Sequence, residues 1–292
     1  MSPAPPPEHV RATFGLREIE PVFLGDDWDG GWRLGDVVLS PVGDHARAAW
    51  SAKVRETLLV DGARVAKPVR ATDGRYVVSG WRAETFLEGS PEPRHDEVVS
   101  LSVRLHAATA RMEKPRFLTQ QPVAPFSEID VFVAADRAAW EPTPLRDPRR
   151  TGLLDMAKPG VDRSLDLLKH LGEQRREVNL PGQLVHGDLF GTVLFSDIAA
   201  PGITDISPYW RPMSWAAGVV VIDALSWGGA DDGLIERWDG MKEWSQMLLR
   251  ALMFRVAVHA LHPRSTDSAL IALESTAERV LELVREQAST AR

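Results

Sequence analysis

The chain has 292 residues, of which 44% are hydrophobic, so it is long enough for a substantial core and for two subdomains that share one cleft. Its formal net charge of -7 provides no basic field that would attract nucleic acid or anionic lipid, and we expect neither as a partner. The sequence contains no cysteine, which excludes disulfides, thiolate nucleophiles and zinc sites with cysteine ligands.

The first residues, Met1 to Glu8, have neither the basic start nor the apolar centre of a signal peptide, and we expect residues 1–15 to form a flexible tail. Farther along, the apolar stretch from Ala216 to Leu225 has about half of the roughly 20 residues that a membrane span requires, and Asp223 interrupts it. These patterns predict a cytoplasmic protein that does not enter a membrane.

Short runs rich in valine and tryptophan, separated by glycine and aspartate, lie between residues 20 and 81 and are typical of strands joined by turns. Between the third and fourth runs, residues 45–59 place alanine and tryptophan at helical spacing. We therefore predict an N-lobe over residues 16–84, with a small antiparallel sheet and one crossing helix. The predicted strands are Glu20–Leu24, Gly31–Leu34, Val37–Ser40, Arg64–Val69 and Tyr76–Trp81.

Helical patterns dominate after residue 84, and we predict a larger helical C-lobe over residues 85–292, which gives an α+β fold. Short apolar runs at Gln183–Val185 and Val193–Phe195 predict two strands within it. The segment Pro115–Leu153 is rich in proline and arginine and is a candidate for an insertion that faces substrate. The predicted helices are Asp96–Ala110, Val161–Gly172, Leu234–Ala260 and Ser268–Gln287.

Two aspartates, Asp188 and Asp205, follow short apolar runs in the segments HGD and ITD. Phosphoryl transfer needs one carboxylate that orients the attacking hydroxyl or accepts its proton, and another that binds Mg²⁺ beside the ATP phosphates. We therefore predict that Asp188 is the base and that Asp205 is the metal ligand. The alternative is that both carboxylates only cap turns after strands.

The motifs His186-Gly187-Asp188-Leu189 and Val193-Leu194-Phe195, followed by Asp205, resemble the catalytic and metal-binding loops of aminoglycoside phosphotransferase-like and choline-kinase-like enzymes. The resemblance implies a protein-kinase-like two-lobed fold, ATP and Mg²⁺ as cofactors, and a small hydroxylated molecule as acceptor. It also implies that Asp223 holds the catalytic loop in place. His186 precedes the base, and we expect it to support this loop by hydrogen bonding; the alternative is a buried histidine whose hydrogen bonds are satisfied. Uncharacterised actinobacterial proteins look like nearer relatives, because they share a similar Ser-Pro-Tyr-Trp-Arg-Pro segment.

Two positions depart from this resemblance. Relatives place an asparagine where this chain has Thr192, whose hydroxyl can still bind Mg²⁺. The strand Val37–Leu39 should lead to a lysine that pairs with phosphate, but the next residue is Ser40, which is uncharged and too short for that role. Arg33 on the preceding strand or Lys67 on the following one could supply the missing cation. The alternative is that both are solvated surface cations.

The resemblance also implies where a nucleotide would bind. The turn that contains Gly30 and Gly31 would cover the phosphates, although its three aspartates would repel phosphate unless a metal intervenes, and a plain hairpin explains the turn equally well. The segment Tyr76–Ala83 would be the hinge whose backbone meets adenine, with Trp81 and Ala83 as contacts.

After the presumed metal ligand, Tyr209, Trp210 and Arg211 could line the acceptor pocket, or they could be core residues in a chain with ten tryptophans. Two functions follow from these patterns. The first is an ATP-dependent, Mg²⁺-dependent phosphotransferase that acts on a hydroxyl of a small metabolite or antibiotic-like molecule. The second is a catalytically degenerate kinase fold, a pseudokinase, that senses nucleotide or binds protein. Transfer of AMP is a third possibility, and the oligomeric state stays open.

Overall fold

The computed structural model describes residues 4–25, 28, 30–120, 126–142, 145 and 152–290. The chain divides into two compact units, and each unit is assembled from separate segments of the sequence. The segments of unit 1 are Met1–Arg94, Ser100–Met112 and Leu184–Tyr209, and those of unit 2 are His95–Val99, Glu113–Gln183 and Trp210–Arg292. The lobe boundaries at 16–84 and 85–292 stay a proposal.

Strands are concentrated in the first part of the chain and around residues 183–211, and helices make up most of the remainder, which agrees with the predicted α+β class. The strands are β1 Val22–Gly25, β2 Gly31–Leu34, β3 Val37–Pro41, β4 Arg64–Val65, β5 Pro68–Val69, β6 Val77–Val78, β7 Trp81–Thr85, β8 Gln183–His186, β9 Leu194–Ser196, β10 Ala199–Ile203 and β11 Pro208–Arg211. The helices are α1 Glu8–Thr13, α2 His45–Thr57, α3 His95–Thr109, α4 Glu128–Trp140, α5 Val161–Glu173, α6 Met213–Trp227, α7 Leu234–Arg237, α8 Trp244–Leu261 and α9 Asp267–Thr290.

Within the described residues, the main sheet of unit 1 has six strands: five follow the order β1-β2-β3-β7-β5, and β6 pairs with β7. Its pairings are antiparallel, and the register places Val38 opposite Glu84 and Ser40 opposite Arg82. Because side chains alternate between the two faces of a strand, these four side chains lie on one face of the sheet. This face of the sheet therefore carries one buried hydroxyl, Ser40, and two charged side chains, Arg82 and Glu84.

The other face of the sheet is apolar and is covered by the N-terminal segment. Val10 and Phe14 form a buried cluster with Leu34, Leu39 and Ala83. Residues 8–13, which we expected to belong to a flexible tail, therefore form α1, because burial of these apolar side chains favours an ordered segment. The sequence reading missed this helix because its apolar positions stand among prolines and charged residues.

A second sheet in unit 1, with the order β4-β10-β9, positions the segment that contains Asp205. β10 runs parallel to β4, with Ile203 opposite Val65, and the backbone N–H of Ala66 donates to the carbonyl of Ile203 at 2.9 Å. The chain leaves β10 two residues before Asp205. The predicted strand Arg64–Val69 is thus split between two sheets, with β4 in this one and β5 in the main sheet.

Helices make up most of unit 2. α8 is buried over nearly all of its length and packs against α4, α5, α6 and α9. The predicted helix Leu234–Ala260 is in fact two helices, and α8 begins after Glu243, which has a positive φ of 56°. Inside this unit, Asp223 of α6 accepts hydrogen bonds from Arg255 of α8, so the buried carboxylate that we expected to hold the catalytic loop joins two helices. No helix in the described part of the chain combines the length and apolar character of a membrane span.

Candidate active site

One buried imidazole, His186 at the end of β8, links the two loops that carry the aspartates. Its Nδ1 accepts hydrogen bonds from the backbone N–H groups of Asp188, at 3.2 Å, and of Ser207, at 3.4 Å. Burial lowers the pKa of His186, although the charges of Asp188 and Asp205 act in the opposite direction. The ring is therefore neutral with its proton on Nε2. A buried neutral ring is suited to holding the two loops together and not to exchanging protons with solvent.

A second buried histidine, His106 on α3, supports the first. Its Nε2 accepts the backbone N–H of His186 at 2.9 Å, and its Nδ1 lies 3.3 Å from Ser102 Oγ. Burial, together with the neighbouring His186, lowers the pKa of His106 to about 3. Farther along the helix, Thr109 Oγ1 donates to the carbonyl of Leu184 at 2.9 Å. Helix α3 thus anchors β8 and the loop that follows it.

Asp188 is exposed in the loop after β8, where an acceptor hydroxyl could reach its carboxylate. Thr192, the expected second metal ligand, closes this loop, because its hydroxyl lies 2.9 Å from the carbonyl of Asp188 and 3.1 Å from that of Leu189. The described contacts of Thr192 hold the turn that presents Asp188. Its role as a metal ligand stays a prediction.

The carboxylate of Asp205 is held by three side chains of unit 1. Oδ1 accepts from Ser51 Oγ at 2.5 Å and lies 3.5 Å from Nε of Arg55, and Oδ2 accepts from Nη1 of Arg82. Burial opposes ionisation of this carboxyl, but the charges of Arg82 and Arg55 and the hydrogen bonds from Ser51 and Arg82 outweigh it and hold the pKa of Asp205 below its usual range. Asp205 is therefore ionised at neutral pH.

Four charged groups meet here, and we call Arg55, Arg82, Glu84 and Asp205 the four-charge cluster. Nη1 of Arg55 lies 2.8 Å from Oε2 of Glu84, and Nη2 of Arg82 lies 3.6 Å from Oε1 of the same carboxylate. The side chains of Arg55 and Glu84 are each 1% exposed, and those of Arg82 and Asp205 are 10% and 24% exposed. Two cations and two carboxylates therefore balance each other in a largely buried site.

Sequence reasoning missed Arg55, Arg82, Glu84 and Ser51 as site residues. Two local signals were present in the sequence. Arg82 and Glu84 alternate with apolar residues along one strand, which puts two charges on the same face. Ser51 and Arg55 are four residues apart on α2 and so lie on one side of the helix. The meeting of these two faces at Asp205 depends on tertiary structure.

The two glycines of the predicted phosphate-covering turn have local structural explanations. Gly30 has a φ of +70°, which favours glycine, and a Cβ on Gly31 would come within 2.7 Å of Ser40 Oγ and 2.8 Å of Val38 Cγ1. Ser40 is fully buried beneath Gly31, and its Oγ has no hydrogen-bond partner among the described residues. The phosphate-covering role of the turn stays a prediction, and its aspartates lie outside the described residues.

The two cations expected to replace the lysine are engaged elsewhere. Lys67 Nζ donates to the carbonyls of Arg55, at 3.0 Å, and Leu58, at 2.7 Å, and so caps the end of α2. Arg33 stacks over Phe86, with its guanidinium carbon 3.8 Å from the ring centroid, and its Nε donates to the carbonyl of Gly35. Arg33 and Lys67 therefore both make contacts within the protein, whereas the alternative expectation was that both are solvated surface cations.

The expected hinge, Tyr76–Ala83, contains a β-hairpin. Ala83 in β7 pairs with Leu39 of β3 on one side and with Val69 of β5 on the other. Its backbone is thus enclosed between two strands, and its side chain is buried in the apolar cluster, against which Trp81 also packs. The hinge role of Tyr76–Ala83 and the adenine contacts of Trp81 and Ala83 stay predictions.

Trp28, from the predicted phosphate-covering turn, is 4% exposed and fills an apolar cluster of unit 1. Its ring stacks on Phe86, with centroids 5.6 Å apart and an interplanar angle of 21°. Val38, on the charged face of the main sheet, and Leu194 of β9 complete the buried part of the cluster. An apolar slot filled by an aromatic side chain thus lies beside the face that carries the four-charge cluster.

The three expected acceptor-pocket residues fall in different units. In unit 1, Tyr209 packs so closely on Gly187 that no side chain would fit at that position. In unit 2, Trp210 packs on Gly182, and Arg211 makes two hydrogen bonds of 2.7 Å to Asp136. The guanidinium of Arg211 is therefore already paired with a carboxylate. An acceptor pocket formed by these residues stays a prediction.

The donor set suits a metal that arrives with a nucleotide. Among the described residues, no three histidine, aspartate or glutamate side chains are grouped so as to hold a metal ion. Mg²⁺ in phosphoryl-transfer sites keeps several waters and binds one or two protein carboxylates together with the substrate phosphates. The ionised, partly exposed carboxylate of Asp205 fits this requirement once its pairing with Arg82 is released.

No protein-family model and no curated protein sequence matches this chain. Solved structures with a similar fold include a microcompartment-associated aminopropanol kinase, with 16% identity, a TM-score of 0.55 and 97% of each chain covered. An aminoglycoside phosphotransferase, a thermostable mutant in complex with AMP-PNP and hygromycin B, has 14% identity and a TM-score of 0.50 over 96% of this chain and 98% of that chain.

An amicoumacin kinase in complex with AMP-PNP, Ca²⁺ and Ami has 12% identity and a TM-score of 0.57, over 89% of this chain and 87% of that chain. At such identities the likeness is one of fold. It confirms the predicted protein-kinase-like fold, with an antiparallel sheet near the N-terminus and a helical remainder. The nearer similarity to actinobacterial proteins stays a prediction.

Proposed function

We propose that this protein transfers the terminal phosphoryl group of a nucleoside triphosphate to a hydroxyl of a small molecule. The observation that carries the proposal is the double hydrogen bond to Nδ1 of His186, which fixes the loop of the exposed Asp188 to the loop that follows the ionised Asp205. Phosphoryl transfer uses two such carboxylates in separate roles, and the protein contributes mainly positioning and charge.

In the proposed reaction, Asp188 accepts a hydrogen bond from the acceptor hydroxyl and takes its proton. The hydroxyl oxygen attacks the terminal phosphorus, the bond from that phosphorus to the bridging oxygen breaks, and the products are the phosphorylated acceptor and a nucleoside diphosphate. Asp188 then releases the proton to solvent. Asp205 would hold Mg²⁺, which supplies charge neutralisation at the phosphates when it is bound.

Proteins of similar fold support the choice of cofactor and acceptor. Two of them were solved with AMP-PNP, one together with Ca²⁺, and their names refer to small molecules as substrates or ligands. We propose that this protein also binds a nucleoside triphosphate, Mg²⁺ and a small hydroxylated acceptor. On the same basis we propose a cytoplasmic location, without nucleic acid or membrane as partner.

Product analysis tests this proposal. Purified protein with Mg-ATP would be incubated with panels of amino alcohols, aminoglycosides and sugars, and with water alone as acceptor, and the products followed by mass spectrometry and ³¹P NMR. We expect ADP and an acceptor that is heavier by one phosphoryl group. Transfer of AMP, or ATP that stays intact with every acceptor and with water, would contradict the proposal.

A second function is that of a kinase-fold module that does not transfer phosphate. It is favoured because side chains of the protein itself already occupy the site. Arg82, Arg55 and Ser51 already satisfy Asp205, and Trp28 already fills the neighbouring apolar slot. Calorimetry with Mg-ATP and Mg-ADP shows whether such a module binds nucleotide, and measurement of ATP turnover separates the two functions. A structural module would bind neither nucleotide in a metal-dependent manner, whereas ATP turnover that is lost in Asp205→Asn would exclude this second function.

A further inference from the structure

We infer that Arg82 is the cation that binds the nucleotide phosphates in this protein, in place of the lysine that position 40 lacks. The inference rests on the proposed function, because it assumes that a nucleotide binds beside Asp205. It assigns a role to a residue that the sequence motifs did not indicate.

Strand register supports the inference first. Ser40 of β3 lies directly opposite Arg82 of β7, so their side chains leave the same face of the sheet. Directly opposite residues on antiparallel strands have Cβ atoms roughly 4.5–5.5 Å apart. An arginine is long enough to cover that offset. The positive charge absent from β3 is therefore present on the next strand, at the same level of the sheet.

Packing explains why the cation is not at position 40. Ser40 is fully buried, and Gly31 packs so closely on it that a Cβ at position 31 would come within 2.7 Å of Ser40 Oγ. A lysine stem at position 40 would have to pass through this closely packed layer. Arg82, on the neighbouring strand, has a side chain that is 10% exposed and reaches Asp205.

The other cations near the site are committed to the fold. Arg55 is 1% exposed and donates to the carbonyls of Ala66 and Thr204, both at 2.8 Å, in addition to its pairing with carboxylates. Its removal would disturb the junction of β4 with the segment after β10. Arg82, in contrast, pairs with the carboxylates of Asp205 and Glu84, and Asp205 is the proposed metal ligand.

Charge balance then predicts how the site opens. A divalent cation bound to Asp205 would displace the guanidinium of Arg82 from that carboxylate and leave excess positive charge in the four-charge cluster. The phosphates of a nucleotide compensate that excess, and a planar guanidinium binds phosphate oxygens in a bidentate manner. Metal and nucleotide should therefore bind together, with Arg82 moving from Asp205 to phosphate.

Calorimetric titration with Mg-ADP tests the inference on wild-type protein, Arg82→Ala, Arg82→Gln, Arg82→Lys and the control Arg70→Ala. Arg70 is an exposed arginine of unit 1 that pairs with Glu56, so its loss removes a similar ion pair away from Asp205. We expect Arg82→Ala and Arg82→Gln to weaken Mg-ADP binding about 10- to 100-fold, the effect of losing a cation close to phosphate. Arg82→Lys should lose less affinity than Arg82→Gln, because it keeps the charge but not the bidentate geometry of the guanidinium, and Arg70→Ala should bind like wild type.

Thermal unfolding of each variant shows whether it is folded. If Arg82→Ala does not fold, Arg82→Gln and Arg82→Lys show whether Arg82 binds phosphate. Wild-type affinity in a folded Arg82→Gln, or equal losses in Arg82→Gln and Arg82→Lys, would overturn the inference while leaving phosphoryl transfer intact. Affinity that depends on Arg82 in a protein that transfers no phosphate would support the inference and contradict the proposed function. Absence of Mg-ADP binding to wild type would overturn both.

Discussion

Ser40 and Arg82 lie directly opposite each other on adjacent antiparallel strands. Ser40 is uncharged, and the guanidinium of Arg82 donates to the carboxylate of Asp205. The site thus contains an anion and a cation that neutralise each other in the protein alone. Each is the group that a metal-nucleotide complex would require, Asp205 for the metal and Arg82 for phosphate. A site of this kind is closed without ligand and is opened by the two ligands together.

Removal of Arg82 should change metal affinity and nucleotide affinity in opposite directions. Without nucleotide, Arg82 competes with a metal ion for the carboxylate of Asp205, and Arg82→Gln removes this competition. Mn²⁺ used as a probe should therefore bind several-fold more tightly than to wild type, which corresponds to about 1 kcal/mol for a partly exposed ion pair. Electron paramagnetic resonance of free Mn²⁺ measures this affinity, with Arg70→Gln as the control. Weaker Mn²⁺ binding in Arg82→Gln would show that the pair does not compete with metal.

The buried pair of Asp223 and Arg255 should be important for the stability of unit 2. Asp223 is 1% exposed, so Asp223→Asn would leave the guanidinium of Arg255 with much less compensating charge between α6 and α8, at an expected loss of about 3–5 kcal/mol in the free energy of unfolding. Urea unfolding measures the loss. The exposed pair of Arg163 and Glu274 provides the control, and Glu274→Gln should change stability by less than about 1 kcal/mol. Similar losses in both variants would contradict this assignment.

His106 should make stability depend on pH in the acidic range. Burial lowers its pKa in the folded protein to about 3 from the ordinary histidine value of 6.5, so below pH 6.5 the unfolded chain takes up a proton that the folded chain does not. Its contribution to stability is complete above pH 6.5 and is lost as pH falls toward 3, with a slope of up to about 1.4 kcal/mol per pH unit. His186, whose pKa is also lowered, acts in the same direction.

Unfolding free energies of His106→Gln and wild type between pH 7 and pH 4 test this dependence. The variant should lose less stability than wild type as the pH falls, because glutamine cannot titrate. Parallel curves for His106→Gln and wild type would contradict the assigned role of burial.

Trp28 should report nucleotide binding by its fluorescence. Its indole is buried against Phe86 and Val38, so a nucleotide that binds beside this apolar cluster would change the surroundings of the ring. We expect Mg-ADP to change the emission of wild type and to have much less effect on Trp28→Phe. Trp227 is 44% exposed and provides the matched control variant Trp227→Phe. An equal response in Trp28→Phe and wild type would place the nucleotide elsewhere.

The sequence predicted those features that depend on neighbouring residues. Strand β2 has the predicted bounds, β3 and α2 differ from prediction by one and two residues, and the motif around Asp188 indicated the kinase-like fold. The predicted strand Tyr76–Trp81 was wrong, because the hairpin turn between β6 and β7 divides this segment between two strands. Helix α1 was missed, since its stability comes from burial of Val10 under a sheet formed by later residues.

The role of Arg82 could not be predicted from local sequence. Its position opposite Ser40 depends on the register between β3 and β7, which are separated by a helix and three short strands. Its contact with Asp205 joins residues 123 positions apart in the chain. Sequence reasoning looked for the missing cation on β2 and near β5, at Arg33 and Lys67, because strand order in the sheet was unknown. The structure shows that β7, not β5, lies next to β3.

The rate of phosphoryl transfer in Asp188→Asn, measured together with its affinity for Mg-ADP, tests the central claim most directly. Asp197→Asn is the matched control, because Asp197 is another exposed aspartate of unit 1. The account predicts that Asp188→Asn transfers phosphate at least about 100-fold more slowly than wild type, that its Mg-ADP affinity is nearly unchanged, and that Asp197→Asn behaves as wild type. Transfer by Asp188→Asn at the wild-type rate would contradict the account.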